Sequence, residues 1–249
     1  MGGPTPVVVF EDLDSTNAEA RRRADAGERG PVWLLARRQS AGRGRRGRAW
    51  DAGQGNLTAT LLLTLDKPPL QAAQLAFVAA LAVGRMADAY IPGGLARFKW
   101  PNDILIEGKK ASGMLIESGA AVGGGLWLAV GIGINLADYP QDVEQPATAL
   151  AQYLRHDVIR APTQDEALEA LSAAFNAVLT QWLAEGFEPI RQAWLARAVG
   201  IGGSCTARLD NETVSGTAQG LDADGALLLR LPGGQSRRIT AGDIFFGAP

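Results

Sequence analysis

Residues 42–50 read G-R-G-R-R-G-R-A-W and closely follow a predicted strand at residues 32–38, which begins with the apolar run V-W-L-L-A. Four arginines alternate with three glycines in this segment, here called the arginine loop. Glycine lets backbone N–H groups approach an anion, and guanidinium groups bind its oxygens in pairs. The pattern predicts a phosphate-binding loop at the end of a strand. A disordered basic loop or a nucleic-acid-binding patch is the alternative interpretation.

Two well-known glycine motifs do not account for this loop. Its spacing satisfies G-x-G-x-x-G, but a dinucleotide-binding loop must open a helix, and the residues at 50–55 (W-D-A-G-Q-G) disfavour one. A P-loop would need Lys and then Ser or Thr where Arg48 and Ala49 stand. The remaining prediction is anion binding by a loop that folds over its ligand.

The composition places the arginines on an otherwise balanced chain. Its 249 residues are 47% hydrophobic, and the net charge is −2, which disfavours a basic nucleic-acid-binding domain. One Cys and one His exclude a Cys/His zinc site and an internal disulfide, and they argue against a His-dependent triad. Residues 1–6 lack a leader pattern, and no apolar run reaches about 18 residues. We expect a cytoplasmic protein without membrane contact or metal-binding residues.

The sequence on both sides of the arginine loop predicts an α+β fold. A helix from Ser15 or Thr16 to about Ala26 separates strands at 7–11 and 32–38. Further strands are predicted at 56–65, 97–100, 103–106, 113–117 and 126–134, and helices at 70–90, 163–185 and 189–198. Hairpin-like links, including a turn at 108–110, predict a mixed, mainly antiparallel sheet with packed helices.

The pattern changes after Gly200. Short alternating strands at 206–209, 213–221, 226–231 and 236–239 are separated by Asp, Asn and Gly pairs, which is typical of a small all-β barrel. We therefore predict two domains, residues 1–199 and 200–249.

Two further polar clusters are candidate sites. Residues 99–103 read K-W-P-N-D, with two more lysines at 109–110; a Lys99–Asp103 ion pair and a solvated turn are the alternative interpretation. Residues 131–135 read G-I-G-I-N, where the glycines permit close backbone approach and Asn135 can pair with a planar heterocycle. A tight turn with Asn135 in a left-handed conformation is the alternative.

These clusters, in their order and spacing, resemble bacterial biotin–protein ligases. The resemblance is carried by D-S-T-N at 14–17, Q-x-x-G-R-G-R-x-G-R-x-W at 39–50, K-W-P-N-D at 99–103, G-K-K-x-x-G at 108–113 and G-x-G-x-N at 131–135. Residues 220–229 resemble the family's small C-terminal SH3-like domain. The fold implied is the mixed sheet shared by class II aminoacyl-tRNA synthetases and biotin ligases, followed by an SH3-like β-barrel.

The resemblance implies that biotin and ATP, with Mg²⁺, form biotinyl-5′-adenylate, whose biotin then passes to a lysine of a biotin carboxyl carrier protein or another acceptor domain. Regulatory members carry an N-terminal helix-turn-helix, whereas D-S-T-N begins here at Asp14, so we expect a ligase without DNA binding. Monomer and homodimer both stay open. A lipoate- or octanoate-transferring enzyme on the related fold is the nearest alternative, and an Arg/Gly-loop nucleic-acid-binding module is an alternative of another class.

The same resemblance implies roles for individual residues. The residues implied to bind biotin are Ser15, Thr16, Asn17, Gln39, Arg43, Gly44, Arg45 and Lys110. Those implied to bind the nucleotide are Arg43, Arg48, Trp50, Asn102 and Asn135. Lys110 is expected to hold the biotin carboxylate against the α-phosphate, Arg45 to close over the adenylate, and Asp103 to orient Lys110 or the attacking amine.

Overall fold

The computed structural model describes residues 4–50, 52–141 and 143–247 and is built around a seven-stranded sheet. The spatial order of the strands is β1-β2-β3-β7-β6-β5-β4, and only β1 and β2 pair in parallel. The strands are β1 (Val7–Leu13), β2 (Val32–Gln39), β3 (Leu57–Leu65), β4 (Ala96–Lys99), β5 (Asp103–Ile106), β6 (Lys109–Ala120) and β7 (Leu126–Ile134). The predicted mixed, mainly antiparallel sheet is confirmed.

A helical crossover joins β1 to β2, which agrees with the helix predicted between the strands at 7–11 and 32–38. Helix α1 (Thr16–Asp25) begins after Ser15, whose hydroxyl accepts from the Ala18 N–H. Parallel strands require such a crossover. The small side chains of Ala20 and Ala24 bury α1 against one face of the sheet. The N-terminus of α1 therefore lies beside the end of β2, where the arginine loop starts.

The other face of the sheet carries the main core and the remaining helices. They are α2 (Pro69–Ala72), α3 (Leu75–Ala87), α4 (Gln164–Glu185) and α5 (Phe187–Leu195). The single helix predicted at 70–90 is wrong, because the chain breaks near Gln74, whose side-chain oxygen accepts from Trp182 Nε1 at 2.9 Å. The segment Pro69–Ala87 is long and apolar enough to cross a membrane, but 72% of it is buried inside the fold.

A two-residue turn joins β5 to β6 and corrects the turn predicted at 108–110. Glu107 and Gly108 both have positive φ values, 49° and 77°, as a tight hairpin of this type requires. Strand β6 starts directly after them. Lys109 and Lys110 are therefore strand residues, and Lys110 is placed by the register of a sheet instead of by a flexible turn.

The C-terminal residues form a separate five-stranded antiparallel sheet, here called the C-terminal sheet. Its strands are β8 (Ser204–Arg208), β9 (Thr213–Leu221), β10 (Leu227–Arg230), β11 (Ser236–Ile239) and β12 (Asp243–Phe246), in the order β11-β10-β9-β8-β12. The predicted small all-β unit is confirmed, but the sequence analysis missed β12. Trp100 Nε1 donates to the Gly225 carbonyl at 3.0 Å and joins this sheet to the first one.

Candidate active site

A cavity of about 520 Å³ lies between the large sheet and β12. Every site residue named from the sequence lines it: Ser15, Thr16, Asn17, Gln39, Arg43, Gly44, Arg45, Arg48, Trp50, Asn102, Asp103, Lys110 and Asn135. These residues come from five separate segments of the chain. The fold brings them together, while their individual roles stay predictions.

A network of neutral polar side chains forms one end of the cavity. Gln39 Oε1 accepts from the Thr16 N–H at 2.7 Å and from its hydroxyl at 3.1 Å. The buried Thr60 hydroxyl lies 2.7 Å from both Thr16 Oγ1 and Asn17 Oδ1, and Asn17 Nδ2 donates to Glu117 Oε2 at 2.7 Å. Because each group orients the next, this end of the cavity is preorganised for a neutral polar ligand.

Glycine is required at two positions of β7 by side chains that press on the strand. A Cβ on Gly131 would lie 2.2 Å from Asn17 Oδ1, and one on Gly133 would lie 2.3 Å from the Trp50 ring. The close approach predicted for the G-I-G-I-N segment is therefore made by protein side chains at the cavity wall.

The arginine loop is a narrow hairpin over the cavity. The Gly44 N–H donates to the Arg48 carbonyl at 2.7 Å, and the Trp50 N–H donates to the Gly42 carbonyl at 2.9 Å. A short 3₁₀ turn, Arg45–Gly47, forms its tip, with Arg46 at a φ of 56°. These bonds give the segment a defined shape, which disfavours the disordered-loop interpretation.

The four arginines of the loop point to different partners. Arg43 pairs with Glu117 of β6 at 3.2 Å. Arg46 and Arg48 both pair with Asp243 of the C-terminal sheet, Arg46 at 3.3 Å. Arg45 turns inward and donates to Asn102 Oδ1 at 3.2 Å, and burial lowers the pKa of its guanidinium from its ordinary value. The loop is thus held from two sides, while Arg45 lines the cavity without a carboxylate partner among the described residues.

Lys110 lies against a carboxylate and an aromatic ring. Its Nζ is 2.6 Å from Asp103 Oδ1 and 5.7 Å from the centroid of the Trp50 ring. The alternative ion pair between Lys99 and Asp103 is wrong, because Asp103 pairs with Lys110 instead. Lys99 Nζ lies 5.9 Å from the Phe245 ring, and burial lowers the pKa of this amine.

Three polar atoms at the cavity wall are buried without a hydrogen-bond partner among the described residues: Trp50 Nε1, Asn135 Oδ1 and Asp103 Oδ1. Asp103 Oδ1 is compensated by its ion pair with Lys110, whereas Trp50 Nε1 and Asn135 Oδ1 have no such compensation, and Asn135 Nδ2 donates to the Thr148 carbonyl at 3.0 Å. Buried polar atoms are nearly always paired, so an unpaired donor and acceptor favour a ligand with complementary groups, such as a heterocyclic base.

Several residues of the site carry no local sequence signal. Thr60 and Glu117 lie inside ordinary strands, and Asp243 and Phe245 lie on the missed strand β12. Only the pairing of strands far apart in sequence reveals them. In the described part of the chain, no group of three or more His, Cys, Asp or Glu residues could hold a metal ion.

Comparisons with known proteins match both sheets. The model of the biotin/lipoate A/B protein ligase family matches residues 10–135, and that of the biotin protein ligase C-terminal domain matches residues 200–247. The chain is 43% identical to the biotin–[acetyl-CoA-carboxylase] ligase of Paracoccus denitrificans, over 94% of this chain and 98% of the relative. The chain belongs to the biotin/lipoate A/B protein ligase family.

Other members of this family are similar over most of the chain. The bifunctional ligase/repressor BirA of Bacillus subtilis is 34% identical over 96% of this chain and 74% of its own length. The solved biotin protein ligase from Aquifex aeolicus, in complex with biotin and ATP, superposes with a TM-score of 0.80 over 97% of this chain and 99% of its own, at 24% identity. That likeness supports the ligase fold.

Proposed function

We propose that this protein is an ATP-dependent biotin–protein ligase. It would join biotin to ATP as biotinyl-5′-adenylate, with release of pyrophosphate, and then transfer biotin to a lysine of a carboxylase carrier domain. The observation that carries the proposal is the layout of the cavity. A neutral hydrogen-bonding end adjoins a cationic end, and Lys110 lies among the cationic side chains. The names of the relatives support the same assignment.

The first half-reaction brings two anions together. A carboxylate oxygen of biotin attacks the α-phosphorus, the bond from that phosphorus to the bridging oxygen breaks, and pyrophosphate leaves. Cations fixed in a partly desolvated site stabilise the charge that develops. Lys110 and Arg45 are the proposed source, because Asp103 and Asn102 hold their side chains toward the cavity. Mg²⁺ that arrives with ATP supplies further positive charge at the phosphates.

The second half-reaction transfers the acyl group to an amine. The neutral amine of the acceptor lysine attacks the biotinyl carbonyl, the bond from that carbonyl to the adenylate oxygen breaks, AMP leaves with the electron pair, and the nitrogen gives up one proton to solvent. Asp103 already holds Lys110 Nζ at 2.6 Å. We propose that it also accepts a hydrogen bond from the incoming amine, which orients the attack.

The neutral end of the cavity favours biotin over lipoate or octanoate. A ureido ring can exchange hydrogen bonds with the polar wall formed by Thr16, Asn17 and Gln39, whereas an alkyl chain offers this wall neither a donor nor an acceptor. Incubation of the protein with MgATP, a carrier domain and either biotin or lipoate tests the choice. We expect biotin to be incorporated; incorporation of lipoate but not biotin would reverse it.

The remaining assignments concern the whole chain. We propose a catalytic domain at residues 1–199 and an SH3-like domain at 200–249, supported by the C-terminal family model at 200–247. A cytoplasmic protein without DNA binding is the accompanying proposal. The Paracoccus denitrificans relative, matched over 98% of its length, is named as a ligase alone, which supports the second part.

A further inference from the structure

The cations around the cavity differ in whether a carboxylate neutralises them. Arg43 pairs with Glu117, Lys110 with Asp103, and Arg48 with Asp243. An ion pair of this kind compensates much of the cost of removing a charge from water. The charges of these three side chains are therefore already compensated, and their burial does not require a bound anion.

Lys99 and Arg45 are different. Neither forms an ion pair with a carboxylate among the described residues, although both line the cavity, and Arg45 hydrogen-bonds only the neutral Asn102. Burial lowers the pKa of both groups, which indicates that they lose hydration without full compensation. Such cations are stabilised when an anion enters.

The surroundings of Lys99 separate it from Lys110. In the register of the sheet, Lys99 of β4 lies opposite Asp103 of β5, but the carboxylate turns to Lys110 on the far side. The Lys99 ammonium lies instead at the side of the C-terminal sheet, 5.9 Å from the Phe245 ring centroid. The Arg208 guanidinium lies 4.9 Å from the same centroid and adds a second positive charge beside β12.

We propose that Lys99 binds the β- and γ-phosphates of ATP and the pyrophosphate that they become, and that Phe245 is a positioning residue for its ammonium. This inference rests on the proposed ligase function. When the bond between the α-phosphorus and the bridging oxygen breaks, its electron pair leaves with pyrophosphate. Lys99 keeps its proton and donates hydrogen bonds to the departing oxygens, so the C-terminal sheet contributes to the leaving-group end of the site.

The test separates the two half-reactions. Lys99→Met keeps the length and apolar stem of the side chain, and Lys99→Arg keeps its charge. Lys109→Met is the matched control, because Lys109 lies exposed on β6. Adenylate formation is measured as pyrophosphate release at varied MgATP, and transfer is measured with preformed biotinyl-5′-adenylate and a carrier domain. The strength of inhibition by added pyrophosphate is a third readout. It reports the affinity of the site for pyrophosphate, even in a variant that turns over ATP slowly.

For Lys99→Met we expect the KM for ATP to rise, and inhibition by pyrophosphate to weaken, by about 10- to 100-fold, which is typical of losing a charged hydrogen bond. Lys99→Arg should restore most of the loss. Transfer from preformed adenylate and resistance to urea should match those of Lys109→Met. Lys99 forms no ion pair among the described residues, so its replacement leaves no carboxylate without its partner. Phe245→Leu should raise the KM for ATP with a smaller change in kcat.

Two results would overturn the assignment. Wild-type kinetics in Lys99→Met would remove Lys99 from the leaving-group end, and an equal loss in both half-reactions would make it a general structural residue. The proposed function fails separately, since it requires only that the unaltered protein form adenylate from biotin and MgATP. An active wild-type enzyme with an unaffected Lys99→Met variant would therefore disprove this inference alone.

Discussion

At the residue scale, the chemistry depends on how neighbouring groups position each charged side chain in the cavity. Asp103 fixes Lys110 from one side and the Trp50 ring lies on another, so the ammonium has little freedom. Fixed charge is more effective than mobile charge at a developing oxyanion, because no reorganisation is needed during the reaction.

We predict that Lys110→Ala slows adenylate formation by roughly two orders of magnitude or more, because a preorganised charge at an oxyanion is worth about 3–4 kcal/mol. The measurement is the rate of pyrophosphate release with biotin and MgATP. Lys109→Ala, one residue earlier on the same strand, is the control and should leave the rate unchanged. A near-normal rate in Lys110→Ala would exclude this side chain from the reaction.

Sequence reasoning found the residues that carry motifs and missed those that hold them. Lys110 and Arg45 belong to patterns that can be recognised locally. Glu117 has no such pattern, and it enters the site because β6 passes beneath the arginine loop. The same limit explains why the sequence left two partners for Asp103, Lys110 in one interpretation and Lys99 in the other. Two lysines compete for one carboxylate, and only the paired strands show which of them is nearer.

At the scale of single elements, the arginine loop shapes the site, and helix α4 begins at a cap whose strength depends on pH. The loop is closed by its own backbone hydrogen bonds and by carboxylates from both sheets. The adenylate is a reactive mixed anhydride, and we predict that the closed loop protects it from water until the acceptor arrives.

Arg45→Gly is expected to loosen the closed loop and release adenylate. The variant should still consume ATP but transfer biotin poorly to the carrier domain, and it should label lysines of unrelated proteins. Rapid filtration measures adenylate release, and labelling of a bystander protein measures its escape. Arg38→Gly is a suitable control, since Arg38 pairs with Asp12 on the exposed surface. Adenylate held as tightly as by the wild type would disprove the lid role of Arg45.

Helix α4 offers a prediction about pH. Hydrogen bonds from Arg160 first, and then from Thr163, lower the pKa of Glu166 from 4.5 to about 2. Because the folded-state pKa is below the ordinary value, the stabilisation is complete above about pH 4.5 and is lost as the pH falls toward 2. Urea unfolding across this range should show a smaller dependence on pH for Glu166→Gln. Identical pH profiles would mean that this cap does not contribute.

The element boundaries show where local patterns suffice. Ser15, one of the two caps that the sequence offered, caps α1, and the helix predicted at 163–185 is present with Thr163 as its cap. The break before α3 was missed, and at this break Gln74 accepts a hydrogen bond from Trp182, which lies 108 positions away in the sequence. Strand β12 was missed, and its pairing with β8, about 35 positions earlier in the chain, defines it.

At the scale of the whole molecule, the cavity lies between two sheets that the sequence presents as separate units. The large sheet provides the polar end and Lys110, and β12 of the C-terminal sheet provides Asp243 and Phe245. The sequence pattern identified both units and their fold classes. It did not reveal that they share one site, since no local signal reports contacts between them.

DNA binding is the prediction that belongs to this scale. The chain carries a net charge of −2, and three of the four loop arginines are paired with carboxylates. Little unpaired positive charge is left on the loop for a duplex, so we expect no sequence-specific binding, with or without biotin and ATP. A gel-shift assay at physiological salt with candidate operator fragments measures it. A specific, biotin-dependent shift would contradict the proposal of a ligase alone.

The bridges from the first sheet to the C-terminal sheet also restrict how such proteins can be recombined. Arg46 and Arg48 reach Asp243, and Trp100 donates to the backbone of Gly225. A chimera that takes its last 50 or so residues from another ligase must match these carboxylate and carbonyl positions, or it will inherit a loose arginine loop. The two sheets look interchangeable along the sequence, but these contacts couple them. A chimera should therefore exchange the residues on both sides of the contact together.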